Sequence, residues 1–534
     1  AYRTTFTVPS DWKGEEVFLR FEKVASASFL WVNGQEVGYN EGAQETAEYN
    51  ITPYLKKGRN TLAMMVVKYS DGYYLEGQDY WRLAGIFDDV YLYATPKTRL
   101  FDWYVTTDLD KEYKDADLRI EATVRSYDDV PVQSPLKVLA VLSDAEGKTV
   151  AELESQEARF APGSKSLTLT MTKHIANPLK WTAETPDLYS LKMYLIDAST
   201  GKRICGSTAE DARQDVGFKE TEIINNVFHL NGKPLKVNAQ NSHMQDPDNG
   251  HAVTDDLIRK DMEILKRYGF NAVRISHYPP VPRYLELAAR YGLYIIDEAG
   301  TEAHATEYIS NDERFIGMYR ERVRRMVLRD RNQPAVLFWS AGNESGEGPN
   351  IGEVIEEGRK YDHTRWWMYG GNAYSHAAED IIGPRYPTAL ALDLKVGLHG
   401  DGDVRPSFMD EYISVAGNGG GMFDEMWRAI YTHERSLGGA VWDFVSPGLT
   451  QPTRALKDSS PHGVMAHIMG NAKLVQDTRN KKNHVIDLSG HDEWVEVYRD
   501  ECLEISGDAV SISFDVFPRK LVSSCGSFVT KGEW

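Results

Sequence analysis

Val336-Leu337-Phe338-Trp339-Ser340-Ala341-Gly342-Asn343-Glu344-Ser345 is an apolar run that ends in an amide and a carboxylate. A strand buried on both faces reads as a continuous apolar stretch, because helices cover it on either side. Seven further short runs of this texture follow position 218. They are LKVNAQN (235–241), AVRISHY (272–278), YIIDEAG (294–300), WMYGG (367–371), DIIGPRY (380–386), PSFMDEY (406–412) and GAVWDFV (439–445). Helical segments alternate with them. Thr254 caps DDLIRKDMEILKRY, with Asp255 and Asp256 on the positive end and Gly269 as the stop. Pro282 opens RYLELAARY and Gly292 closes it. FIGMYRERVRRMVLRD and MFDEMWRAIYTHE are amphipathic. The gap between the fifth and sixth runs is too short for a full helix, so that unit is degenerate. Eight runs with intervening helices predict a (β/α)8 TIM barrel over 218–455.

The sequence before the barrel has a different period. VFLRFEKV, SFLWVNGQEVGY and TLAMMVVKY alternate apolar with polar, and Asn33-Gly34 marks a hairpin. Residues 1–96 therefore predict a first β-sandwich, ending at Pro96. LRIEATVRSY, LKVLAVLSD, KSLTLTMTK and YSLKMYLID continue the pattern over 97–217, as expected of an immunoglobulin-like β-sandwich. A chain of 534 residues accommodates roughly three or four such domains.

Composition narrows the function. The formal charge is −19, which excludes nucleic acid as a partner, since phosphate binding needs a basic surface. Cys205, Cys502 and Cys525 are too few for a disulfide framework and fit no metal spacing. No run of about 18 apolar residues is present, so no membrane span is expected. Aromatic residues make up 11%, with 12 Trp and 29 Tyr. Two readings fit that richness: rings lining a sugar cleft, or the cores of large β domains. Both ends of the chain read as strands already under way, so a piece cut at both ends is expected.

Catalytic groups of a TIM barrel sit at the C-terminal ends of its strands. Asn343 and Glu344 occupy that position on the fourth run, where Glu344 could alternatively only cap the next helix. The seventh run ends in Asp410-Glu411-Tyr412 and the second carries Arg274 and His277. The third leads into Asp297, Glu298, Glu302 and His304, the sixth ends in Tyr386, and the eighth holds Trp442. Buried charges cost several kcal/mol unless paired or functional, so ionisable tips around one mouth point to a site. Two carboxylates facing each other suit glycoside hydrolysis, one as proton donor and the other as nucleophile or base. Glu302-Ala303-His304 has a spacing that fits a divalent cation, but taken alone such a pair more often marks a solvated loop or a His–Glu hydrogen bond.

These motifs resemble, in order along 1–448, those of the bacterial β-galactosidases of glycoside hydrolase family 2. YLEGQDYWRLAGIFDDVYL (74–92) is similar to the family's jelly-roll sugar-binding domain, and LNGKPLKVNAQNSHMQDPDNG (230–250) to the start of its barrel. The resemblance implies a retaining, exo-acting enzyme that releases terminal β-D-galactose, with Glu344 as acid/base and Glu411 as nucleophile. It implies that Asn343 binds the 2-hydroxyl, Tyr386 flanks the nucleophile and His277 binds a sugar hydroxyl. Arg274 would support Glu411, Trp442 would lie under the ring, and His243 would serve a second subsite. Asp79 would sit near the 6-hydroxyl and help hold Na+. Glu302, His304 and Glu344 would hold Mg2+.

Three positions depart from the family pattern. Glu411-Tyr412-Ile413-Ser414 puts Ser414 where a 6-hydroxyl-binding histidine is expected, Ser242 replaces an arginine, and Gly300 replaces an asparagine. An altered glycone is therefore an alternative: a modified galactose, a glucuronide or an arabinopyranoside. The absence of a placed Asn-x-Lys pair weighs against glucuronide. A catalytically silent carbohydrate-binding fragment is the reading from another class. Residues 456–534 resemble part of a laminin-G/concanavalin-like sandwich, which leans towards a periplasmic or secreted location. The expected partners are the ends of β-galactoside oligosaccharides or polysaccharides, and a second copy of the chain.

Overall fold

A computed structural model describes residues 1–206, 212–370, 378–400, 402–415, 420–450, 453–489, 493–498, 501–504, 507, 509–519 and 529. Two compact units divide the chain, one over 1–447 and one over 448–532. The candidate site lies wholly in the first.

The leading segment forms antiparallel sheets packed on a core that includes Val17, Leu19, Phe21, Leu30, Val32 and Met64. Alternation along these strands puts one face on that core. The hairpin between Ala27–Val32 and Gln35–Glu41 turns at Asn33 and Gly34, with φ of 53° and 83°. Both central residues of such a tight turn need positive φ, which Asn and Gly tolerate. The next segment packs a three-stranded sheet, including Thr98–Leu109 and Ala116–Ser126, on a second sheet that includes Leu136–Ser143 and Tyr189–Asp197. Ala116–Ser126 buries every second residue, as a half-covered strand should.

The barrel strands are parallel and largely buried. Val237–Ser242, Ala272–Ile275, Tyr294–Glu298, Val336–Ser340 and Trp367–Met368 follow one another in the sheet, and Ser436–Val445 and Ser407–Tyr412 continue it from the other edge of Val237–Ser242. All five residues of Val336–Ser340 are buried. The helix Asp255–Arg267 starts where Thr254 accepts from the Leu257 amide at 3.3 Å. Pro282–Tyr291 ends at Gly292, whose φ of 74° is the left-handed stop that glycine favours.

The sixth run corrects the expectation of eight strands. Residues 380–386 form no strand, and the sheet has seven among the described residues. The run still fills the gap: the Ile381 amide donates to the Trp367 carbonyl at 3.1 Å, and the Phe408 amide to the Ile382 carbonyl at 2.7 Å. Ile382 and Ser407 make a single parallel bridge. Pro384 offers no amide to a ladder. Gly383 packs so closely that a Cβ there would lie 1.9 Å from the Phe408 carbonyl oxygen.

In the second unit, Thr453–Leu456, Ala466–Met469 and Trp494–Val497 form one antiparallel sheet, and Lys473–Gln476 pairs with His484–Asp487. Much of the stretch expected to complete a sandwich, Cys525 included, lies outside the described residues. Among the described residues no helix is long and apolar enough to cross a membrane.

Candidate active site

The strand tips converge on Arg274, which is fully buried. Its Nε and Nη2 both donate to Glu298 Oε2, at 2.9 and 2.6 Å. Nη1 donates to Asn241 Oδ1 at 3.0 Å and to Glu411 Oε1 at 3.1 Å. Nη2 also donates to Asn343 Oδ1 at 2.9 Å. One guanidinium therefore fixes groups from four strands or their tips. Such a cation is tolerable in the interior only because its donors meet charged or polar acceptors.

His277 Nδ1 lies 2.8 Å from Glu298 Oε1. An ionised carboxylate only accepts, so the imidazole carries its proton on Nδ1. Burial and the neighbouring Arg274 charge hold His277 well below its ordinary pKa, so it stays neutral. Its Nε2 is buried, has no hydrogen-bond partner among the described residues, and lies 3.9 Å from Glu411 Oε1. The ring stacks on Trp442 at 5.1 Å and 8° between planes. His243, also kept neutral by burial, stands edge-on to both His277 and Trp442 at 5.7 Å.

Glu411 is 3% exposed. Burial alone would raise its pKa, but the guanidiniums of Arg385 and Arg274 more than offset that and hold it at about 2. Tyr386 donates to Glu411 Oε2 at 2.6 Å. Burial and the Glu411 charge push that phenol upward, so it stays a donor. Arg385 pairs with Glu411 from the other side and lies 3.7 Å from Glu344 Oε1. The two carboxylates thus flank one cation.

A second cluster adjoins the first through Asn343, whose Nδ2 donates to Glu302 Oε1 at 2.8 Å. Asp79, Glu302, His304 and Glu344 present ligand atoms all within 4.8 Å of one another. His304 Nδ1 lies 3.3 Å from Asp79 Oδ1, 3.4 Å from Glu344 Oε2 and 3.8 Å from Glu302 Oε1. Glu302 is fully buried, and its Oε2 has no hydrogen-bond partner among the described residues. Burial, then the Asp79 charge, raise its pKa well above the ordinary value. Three carboxylates and an imidazole around an unmet oxygen fit a hard divalent cation. Asp79 belongs to this group, beside the residues expected to hold a divalent ion. It arrives there because the leading domain docks on the barrel mouth: the Gly77 amide donates to the Glu302 carbonyl at 2.9 Å, and the Glu302 amide to the Leu75 carbonyl at 3.0 Å.

Ser414 is half-buried, two residues past the strand Ser407–Tyr412. Its segment runs beside Trp442, whose carbonyl accepts from the Val415 amide at 2.8 Å. Gly300 also has a local reason. A Cβ there would lie 2.9 Å from Glu45 Oε1, a carboxylate that the leading domain buries at the site. Sequence reasoning assigned no role to Glu298, Asn241, Asp410 or Arg385. The available signal was charge matching: a fully buried Arg274 demands acids, and Arg385 is the one cation of the run 380–386. A cavity of about 850 Å3 opens elsewhere, lined by Tyr104, Arg331, Asp362 and Trp366. It lies near Pro334, at the opposite end of the strands from Glu344.

A parallel barrel with two carboxylates on its C-terminal rim, floored by Trp and His, and preceded by two β-sandwiches, is the architecture of a glycoside hydrolase. The TIM barrel domain of glycosyl hydrolases family 2 matches residues 221–462, the sugar binding domain of that family 1–96, and a further family 2 domain 98–219. The chain belongs to glycosyl hydrolases family 2. It is 37% identical over 476 residues to a β-galactosidase of Enterobacter cloacae, and 37% over 465 residues to one of Vibrio vulnificus. Each alignment covers 84% of this chain and 44% of the relative, so the chain spans less than half the length of these curated relatives. Among solved structures, a family 2 member from Bacteroides cellulosilyticus aligns with a TM-score of 0.69 at 22% identity, covering 83% of this chain and 58% of that one. A Bacteroides uniformis β-glucuronidase aligns at 0.70 and 20% identity, with the same coverages. At those identities the likeness establishes the fold.

Proposed function

We propose that this chain carries the catalytic centre of a retaining, exo-acting β-galactosidase. The observation that carries the reading is the placement of Glu344 and Glu411 on two strand tips across one guanidinium. That closeness favours the separation of retaining pairs, about 5–5.5 Å, over the about 6.5–9.5 Å of inverting ones. Glu411, ionised and steadied by Arg274 and Tyr386, attacks the anomeric carbon. Glu344, the more exposed carboxyl, gives its proton to the leaving oxygen and later takes one from water. His277 Nε2 and Asn343 receive sugar hydroxyls, and the Trp442 face supports the ring. His243 and Ser414 extend the same rim.

Glu302, His304 and Glu344, with Asp79 beside them, would hold a divalent cation, for which Mg2+ suits the oxygen-rich donor set. Such an ion supplies positive charge next to the acid/base carboxyl. The relatives' activity favours galactose as the glycone. The domain partition at 96, 217 and 455, and a laminin-G/concanavalin-like sandwich over 456–534, are part of the same reading.

The test is hydrolysis of aryl β-glycosides (galactoside, glucoside, glucuronide, mannoside, α-L-arabinopyranoside) by this chain and by Glu411→Gln, with the product anomer followed by NMR. Galactoside turnover with retention, lost in the variant, is expected. Inversion, or turnover that survives Glu411→Gln, would overturn the assignment.

A further inference from the structure

Arg385 occupies the space between the two carboxylates that a sugar needs. Its side chain is 15% exposed. Nη2 pairs with Glu411 Oε1 and donates to Asn343 Oδ1 at 3.1 Å. Nη1 donates to the Gly370 carbonyl and lies 3.5 Å from Asp410 Oδ2 and 3.7 Å from Glu344 Oε1. Nε is buried with no hydrogen-bond partner among the described residues.

Arg274 and Arg385 differ in one respect that matters. Arg274 is fully enclosed and anchored by two bonds to Glu298, which no step of the reaction needs to free. Arg385 leans on Glu411, which must be free to attack, and fills the gap between it and Glu344. A productive complex therefore draws Arg385 out of that gap. A cation so displaced inside a cleft needs a replacement anion. Hydroxyls of a neutral sugar cannot supply one. An oxyanion can, because the guanidinium fork matches two oxygens of a carboxylate or sulfate at once.

We propose that Arg385 is a specificity-determining residue that receives an anionic group, a sulfate ester or a carboxylate, carried by the sugar at the scissile bond. The inference rests on the glycosidase reading above and refines its substrate class. The substrate's own charge then draws the guanidinium off Glu411 and out of the space between the two carboxylates.

The experiment is calorimetric binding of galactose, its 2-, 3-, 4- and 6-sulfates, and galacturonate to the chain, to Arg385→Met and to Arg385→Lys. At least one anionic sugar is expected to bind about tenfold or more tighter than galactose, the worth of one charge-assisted bond. That ratio should fall to about one in Arg385→Met and persist in part in Arg385→Lys. A sulfate as the preferred ligand, or galacturonate, separates the two chemistries. Galactose binding as tightly as every anion would overturn the proposal, as would a preference that survives Arg385→Met, or no binding of any sugar. If Arg385→Met is unfolded by circular dichroism, Arg385→Gln takes its place in the comparison. Hydrolysis of a neutral aryl galactoside reports on the glycosidase reading separately: it can succeed while the anionic preference fails.

Discussion

Arg274 and Glu298 form a fully enclosed ion pair in which two guanidinium nitrogens share one carboxylate oxygen, at 2.9 and 2.6 Å. The other Glu298 oxygen holds His277, and Ser340 adds a third donor to the shared oxygen at 2.6 Å. Glu411, His277 and Asn343 are all oriented from this pair. Replacing Arg274 with Met would leave Glu298 buried and uncompensated. A loss of about 3–5 kcal/mol in unfolding free energy is expected, read from urea denaturation. An unchanged midpoint would remove Arg274 from the role of anchor.

Glu344→Gln should slow release of poor leaving groups about 10²–10⁴-fold, the usual contribution of a general acid. A dinitrophenyl galactoside, whose leaving group needs no proton, should suffer far less in its first step. Equal losses on the two substrates would take the proton-donor role from Glu344.

A divalent cation at Asp79, Glu302, His304 and Glu344 should stabilise the fold. At a hundredfold excess over its dissociation constant, Mg2+ should add about 2.7 kcal/mol, visible as a rise in Tm. Glu302→Gln should abolish that rise. A rise that persists in the variant would place the ion elsewhere.

Glu379 gives a pH prediction away from the proposed chemistry. It is 2% exposed, and neither carboxylate oxygen has a hydrogen-bond partner among the described residues. Burial pushes its carboxyl from 4.5 to about 9, against the pull of Arg405. A group raised in the folded state contributes stability below its unfolded pKa and loses it as pH rises through the folded one. Glu379→Gln should therefore be more stable than the parent at pH 7, by about 3 kcal/mol. The gain should grow from pH 4.5 towards 9 and vanish in acid. A difference that does not vary with pH would refute the assignment.

Gly300→Asn should destabilise the protein by about 1–3 kcal/mol through overpacking against Glu45. Glu45→Ala in the same chain should recover part of the loss. Additive effects in the double variant would show that the two positions do not meet.

The barrel was legible because several of its strands are apolar on both faces, and Val336–Ser340 is apolar until its last residue. The rim residues were legible as acids and aromatics stranded at the ends of such runs. The sixth run was misread as a strand because hydropathy does not register the missing amide of Pro384. Glu298 and Arg385 went without roles for another reason. A residue's partner across the barrel depends on which tips face each other, and linear spacing carries little of that. The place of Asp79 beside His304 arises from docking between domains, which no local pattern encodes.

The paired backbone bonds between Leu75, Gly77 and Glu302 have a consequence for ancestry. The leading sandwich supplies Asp79, seats Glu45 against Gly300, and completes the hydrogen bonding of the loop that carries Glu302 and His304. Recombination that traded this barrel for another would strand those groups on both sides of the cut. A swap of either domain alone is therefore expected to cost the fold, and only a matched pair of sandwich and barrel would keep those contacts.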